Sequence, residues 1–304
     1  MSPRILCVGL VCFDVIQTCS DYPKEDSDQR SLDCYWSRGG NASNNCTVLS
    51  LLGAQCSFIG HVANNLFWEY AKRDFEKYGI DVSKCIIREG RYDFPLSTVI
   101  TNAQNGSRTI IHSNKNLPET TADEFLAIDI SQHSWIHFEG RNPSELFKIL
   151  TSLANHPVRN RTVSVELEKT RDGFIELAPH ADTVFISKDF AKYHGWTSME
   201  AAIDGMKKHI QPGATVICAW GENGAIAYQD QVGVVKAPSY PPDAIVDTLG
   251  AGDTFLAATI FYLSRGKSLQ ESIDFGCRIA GAKVGARGYD IVEKAYNQLQ
   301  RKPS

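Results

Sequence analysis

The stretch VDTLGAGDTFLAATIF, Val246 to Phe261, places an aspartate on either side of a Gly-Ala-Gly turn, after which apolar residues recur at helical spacing. Phe255, Leu256, Thr259, Ile260 and Leu263 fall on one side of an α-helix that closes at Gly266. The glycine turn therefore lies at a helix N-terminus, where unpaired backbone N–H groups point outward and the helix dipole attracts negative charge. Asp253 stands in the first turn of that helix. The N–H groups of Gly250, Ala251 and Gly252 can form an anion hole, and Asp253 can take a proton from a hydroxyl. The positive helix end is expected to keep Asp253 ionised and only weakly basic.

Several phosphate-binding alternatives are excluded. No lysine follows the glycines as a P-loop requires, and G-x-G-x-x-G is interrupted at Phe255 too near the C-terminus for a dinucleotide fold. The H-R-D catalytic loop of protein kinases is missing. Outside the turn, the 304 residues carry 31 basic and 35 acidic side chains, a formal net charge of -4, which predicts no nucleic-acid or membrane-surface partner. Nine scattered cysteines without zinc-ligand spacing, and no apolar run long enough for a membrane span, lead to the expectation of a cytoplasmic protein. The N-x-[ST] triplets at Asn41, Asn45, Asn105 and Asn160 are accordingly read as coincidental.

Apolar runs RILCVGLVC, QCSFIG, SWIHFE, RTVSVEL, DTVFIS and ATVICAW alternate with segments long enough for helices. That alternation predicts a mostly parallel sheet flanked by helices on both faces. Asn65 to Gly79 predicts an amphipathic helix, and Ser268 with Glu271 predicts a capping box at the start of another. Two segments break the rhythm, about 15–38 and 92–113. The second contains the hairpin signal Asn105-Gly106, and together they predict a small projecting β-sheet that serves as a lid on one domain spanning 1–304. Val99, Ile100, Ile110 and Ile111 are expected on its exposed face.

SRGGNASNNCTVLSLLGA, Ser37 to Ala54, opens a second helix with Gly39 and Gly40, followed by Asn41 and Asn44. Those carboxamides can cap the helix or bind a polyhydroxylated ligand. Asp14, at the end of the first apolar run, is expected at the carboxyl edge of the sheet, where it can accept hydrogen bonds from hydroxyl groups.

DTLGAGDTF and RGGNASN together resemble the two signatures of the ribokinase-type (PfkB) carbohydrate kinases, in the family's order, and further blocks extend the likeness from about Ile5 to Asp290. The resemblance implies a ribokinase-like three-layer α/β sandwich and ATP-dependent phosphoryl transfer with Mg²⁺. It is closest to the branch that phosphorylates fructose at the C1 hydroxyl, giving fructose 1-phosphate and ADP. On that likeness Asp253 is the general base, and Asp14, Asp26, Gly40, Asn41 and Asn44 bind the sugar. Arg108, Trp220, Glu222, Gly224, Gly250, Gly252, Phe255 and Cys277 meet the nucleotide, and a homodimer forms through the projecting sheet. Ser187 stands where many members carry the asparagine of an Asn-x-x-Glu motif, so the metal ligands stay unassigned. Glu166 and Glu168 are candidates, of which strand alternation admits one to the site. Another sugar or nucleoside kinase, and a noncatalytic sensor of sugar or nucleotide, are the rival readings.

Overall fold

The computed structural model describes residues 3–156 and 161–301; Asn160, the first residue of one triplet, lies outside them. In chain order the strands are β1 (Arg4–Val8), β2 (Cys12–Cys19), β3 (Asp33–Gly39), β4 (Gln55–Ile59), β5 (His61–Ala63), β6 (Ile86–Arg88), β7 (Leu96–Asn102), β8 (Arg108–Ser113), β9 (Trp135–Glu139), β10 (Thr162–Leu167), β11 (Thr183–Ile186), β12 (Thr215–Ala219), β13 (Ala225–Gln229) and β14 (Gly233–Ala237). The helices are α1 (Asn41–Leu51), α2 (Leu66–Lys77), α3 (Ala122–Leu126), α4 (Pro143–Ala154), α5 (Lys188–Tyr193), α6 (Met199–Met206), α7 (Ala251–Leu263), α8 (Leu269–Val284) and α9 (Ile291–Arg301).

Eight strands form the central sheet in the order β14-β13-β12-β11-β10-β9-β1-β4. Pairings from β4 through β12 are parallel, and β13 and β14 close one side as an antiparallel edge. The strands are apolar on both faces because both faces are covered. Along β1, Ile5 and Cys7 enter the core shared with α1, α7 and α8, while Leu6 and Val8 enter the opposite core under α3, α4 and α6. Local signals act as expected at the helix starts. Asn65 accepts from the Phe67 and Trp68 N–H groups, and Ser268 and Glu271 complete a capping box.

The four-stranded second sheet has the order β3-β2-β7-β8, with β2 and β7 parallel. Its β7–β8 hairpin turns through Gly106, which has a positive φ of 69°. Two expectations are corrected here. RILCVGLVC is not one strand: it breaks after Val8 and resumes as β2 in the lid, so Asp14 lies on a lid strand rather than at the end of a central one. Glycine at the break leaves room for Glu139. A Cβ on Gly9 would fall 2.7 Å from Glu139, whose Oε2 accepts the next N–H, from Leu10, at 2.9 Å. Val99 is buried rather than on an open face, and Ile110 and Ile111, being consecutive on a strand, point to opposite sides.

Candidate active site

The carboxyl ends of β9, β10, β11 and β12 open into a cleft of about 420 Å³ roofed by the lid sheet. That is the place where an open parallel sheet presents ligand sites. Asp14, Gly40, Asn41, Asn44, Arg108, Gly250, Gly252, Asp253 and Phe255, scattered over 242 positions of sequence (14 to 255), all line it.

Asp253 lies at the floor, buried, in the first turn of α7. Its Oδ2 accepts from Asn44 Nδ2 at 2.7 Å, joining the two glycine-led helix starts, α1 and α7, across the cleft. Burial pushes its carboxyl up to about 7; the Asn44 hydrogen bond opposes the rise, and Glu168 and Glu139 add to it. The expectation of an ionised, weakly basic Asp253 is therefore corrected: loss of water outweighs the helix end. Gly250 turns the chain with a φ of 72°, and a Cβ there would collide with the Tyr289 hydroxyl at 2.0 Å. The three N–H groups expected to form an anion hole are not equivalent. The Ala251 N–H bends back to Thr248 O at 3.3 Å and Ala251 does not line the cleft, whereas the Gly250 and Gly252 N–H groups have no protein partner among the described residues.

On the lid side, Asp14 pairs in register with Ser37 on β3 and Ser97 on β7. Cys12 donates its thiol to Asp14 Oδ1 at 3.2 Å, and burial raises the Asp14 carboxyl above its usual range. Gly39 packs directly behind it: a Cβ there would fall 2.0 Å from Asp14 Oδ2 and displace that carboxylate. Asn41 donates to Glu166 Oε2 at 3.1 Å, and Arg108 reaches from β8 to Thr248 Oγ1 at 2.9 Å, linking the lid to the turn before α7. Asp26 is the sugar-side candidate that the chain does not bring here; it is exposed on the loop between β2 and β3, with a φ of 55°.

The acids are more numerous than sequence reading expects. Both Glu166 and Glu168 line the cleft, a correction to the alternation argument, since β10 ends at Leu167 and the pleat no longer governs Glu168. Burial, then Glu168 and Asp253, raise Glu166 well above the usual carboxylate range. Glu139 joins them, 3% exposed, bonded to Leu10 N and 3.2 Å from Arg141, while Lys169 pairs with Glu168. Glu139 had a signal in the sequence, a carboxylate closing the apolar run WIHF. His112, whose Nδ1 meets Ser97 Oγ at 3.1 Å, had none, because only the lid register brings it to the cleft.

Of the remaining nucleotide-side candidates, Trp220, Glu222 and Gly224 follow Ala219 at the end of β12 and Cys277 is on α8; none of the four belongs to the cleft wall itself. Trp220 N donates to Gly224 O at 2.8 Å, and Gly224 lies so close to Ala237 O that a Cβ would approach to 2.1 Å. Glu222 is exposed and pairs with Lys188 at 3.2 Å. Cys277 is buried on α8, its thiol pushed up to about 12 by burial, and its neighbour Gly276 packs against Phe255. Ser187 lines the cleft and caps α5 by accepting from Phe190 N at 3.0 Å.

Known proteins share the sequence pattern and the fold of this chain. The pattern of the pfkB family carbohydrate kinases matches residues 2–294. Mouse ketohexokinase is 45% identical over 292 residues, covering 94% of this chain and 98% of its own. Among solved structures, the Arabidopsis thaliana ribokinase complexed with ribose and ATP superposes with a TM-score of 0.83 at 19% identity, covering all of both chains. The adenosine kinase of Sinorhizobium meliloti gives a TM-score of 0.82 at 18% identity, over 98% of this chain and all of its own.

Proposed function

The chain belongs to the pfkB family of carbohydrate kinases, and from that premise we propose that it is a ketohexokinase, transferring the γ-phosphoryl group of ATP to the C1 hydroxyl of fructose. The observation that carries the reading is the convergence of Asp253, Asn44, Asp14 and the Gly250–Gly252 turn on one cleft, in a chain 45% identical to mouse ketohexokinase.

In this reading the sugar lies between Asp14 of the lid and Asn41 and Asn44 of α1, which hold its hydroxyl groups by charge-assisted and amide hydrogen bonds. Asn44 engages Asp253 Oδ2 and so leaves Oδ1 for the hydroxyl that attacks phosphorus. A carboxyl near 7 is matched to proton transfer at neutral pH, and it takes the proton as the bond to phosphorus forms. The Gly250 and Gly252 N–H groups face the charge that spreads onto the phosphoryl oxygens, and Arg108 closes on the phosphates from the lid. ATP then extends along β12 toward Trp220, Gly224 and Cys277. Mg²⁺ fits beside it, because this ion needs one or two carboxylates in addition to phosphate oxygens and water, and Glu166 and Glu168 both reach the cleft. Bound with the nucleotide, it would supply positive charge to offset the negative charge of the phosphates.

A second copy of the chain completes the proposal. Trp36 and Ile111, 62% and 57% exposed on the lid, would be covered in a homodimer, as would Leu32 on the adjoining loop. Asp26 belongs to that same loop. A cytoplasmic location is part of the same reading, and no helix among the described residues is long and apolar enough to cross a membrane.

The deciding experiment is coupled ADP release with ATP and Mg²⁺ against fructose, ribose, adenosine and no acceptor, with phosphorus NMR on the product. Fructose-dependent release with phosphate on C1 is expected. Release with ribose or adenosine alone would replace the substrate, and silence from folded protein would replace the enzyme with a sensor.

A further inference from the structure

Lys283, near the C-terminal end of α8, has no access to water, its side chain being 1% exposed. A lysine at a helix end ordinarily carries its ammonium group out to solvent, and burying it is costly unless good acceptors take its protons. Among the described residues, both acceptors of its protons belong to Asp247. Nζ donates to Asp247 Oδ2 at 2.6 Å and to the Asp247 backbone oxygen at 2.9 Å.

Asp247 is the first aspartate of the Val246–Phe261 stretch, and it passes the constraint on. Its Oδ1 accepts from Leu249 N at 2.9 Å, and its Oδ2 also accepts from Gly288 N at 3.3 Å. The N–H groups of Val246 and Asp247 donate to Val284 O, the residue next to Lys283, at 2.9 and 3.1 Å. The chain entering Gly250 is thus clamped to the end of α8, and Gly250 itself rests against Tyr289, whose ring lies 5.7 Å from Lys283 Nζ. Burial lowers the Lys283 ammonium from its usual range, and Asp247 opposes that shift.

Stability alone gives little reason for a lysine here, since apolar residues of similar volume often replace a buried ion pair without loss. Geometry gives a better one. Displacing reacting groups by about 1 Å can cost on the order of a hundredfold in rate.

We infer that Lys283 is a positioning residue for phosphoryl transfer: through Asp247 it fixes the Leu249–Gly252 turn, and with it the Gly250 and Gly252 N–H groups and the entry to Asp253. The inference rests on the kinase reading above. It separates this lysine from the sugar contacts, which come from the lid and α1.

The test compares the wild-type chain with Lys283→Met and with the double variant Lys283→Met/Asp247→Asn. The double variant leaves an amide oxygen for the Leu249 N–H and no unpaired buried charge. Fructose-dependent ADP release and urea unfolding are measured on the same preparations. In the folded double variant, kcat falls by about tenfold to a hundredfold while KM for fructose stays within about twofold. In Lys283→Ala, added methylammonium restores part of kcat and leaves wild-type turnover unchanged. A folded double variant with kcat within about twofold of wild type overturns the inference, as does a loss of kcat fully accounted for by unfolded protein. A wild-type chain that turns over no acceptor removes the kinase reading and this inference with it; an active wild type beside an equally active double variant removes the inference alone.

Discussion

β10 and β8 reach the same cleft from opposite sides, and their environments differ throughout. From Val163 onward β10 is buried, whereas all six residues of β8 are exposed. On the body side, water is excluded and carboxyl groups change character: burial raises Glu166 well above its usual range and Asp253 to about 7. On the outer lid strand, Arg108 and His112 remain within reach of solvent. The molecule therefore separates tasks. In the proposed reaction the dry wall would tune protons and phosphoryl charge, and the wetter lid wall would admit the sugar and cover it.

The largest expected effect tests the dry wall. Asp253→Asn keeps an oxygen for Asn44 and should still fold and bind nucleotide, but kcat should fall by on the order of a hundredfold or more. Near-normal turnover in steady-state assays would take the proton-accepting role away from Asp253. Asp14→Ala tests the inner face of the lid, with KM for fructose rising by about tenfold or more and nucleotide affinity, read by calorimetry, little changed. The reverse pattern would mean that the sugar and nucleotide ends have been exchanged.

Arg108→Ala probes the exposed strand and should cost less, raising KM for ATP by about three- to tenfold, with the effect growing smaller at high salt. A wild-type KM for ATP would leave the Thr248 contact as that arginine's whole contribution. The smallest effect concerns stability. Asp253 holds a proton in the folded chain between its ordinary 3.8 and about 7, where the unfolded chain has lost it, so stability falls as pH rises through that window. Asp253→Asn removes this slope. Its melting temperature should exceed that of the wild type by a few degrees at pH 8, with the gap closing toward pH 4. Parallel melting curves across that range would show that burial does not burden this carboxylate.

Much of this plan was legible in the sequence, because it is written in local chemistry. The glycine turn at Gly250, the capping box at Ser268 and Glu271 and the Asn105-Gly106 hairpin each specify their own backbone geometry from a few neighbouring residues. The break at Gly9 was not legible: RILCVGLVC reads as one apolar strand, and Glu139, the neighbour that needs a glycine there, comes 130 positions later (9 to 139). Glu168 was misjudged for a related reason, since alternation holds only while a strand lasts, and β10 ends one residue earlier. The outward face of the lid was overestimated at Val99, where packing rather than sequence pattern decided burial.

Local pattern carried the α/β alternation, the two glycine-led helix starts and the family to which their motifs point. Those features depend on interactions within one turn or one period of the chain. The raised Asp253 carboxyl, the Ala251 N–H turned back to Thr248 and the burial of Lys283 arise only once the elements are packed. Each of these depends on how much water the packed elements exclude and on which distant group fills its place, and neither quantity is a property of neighbouring residues.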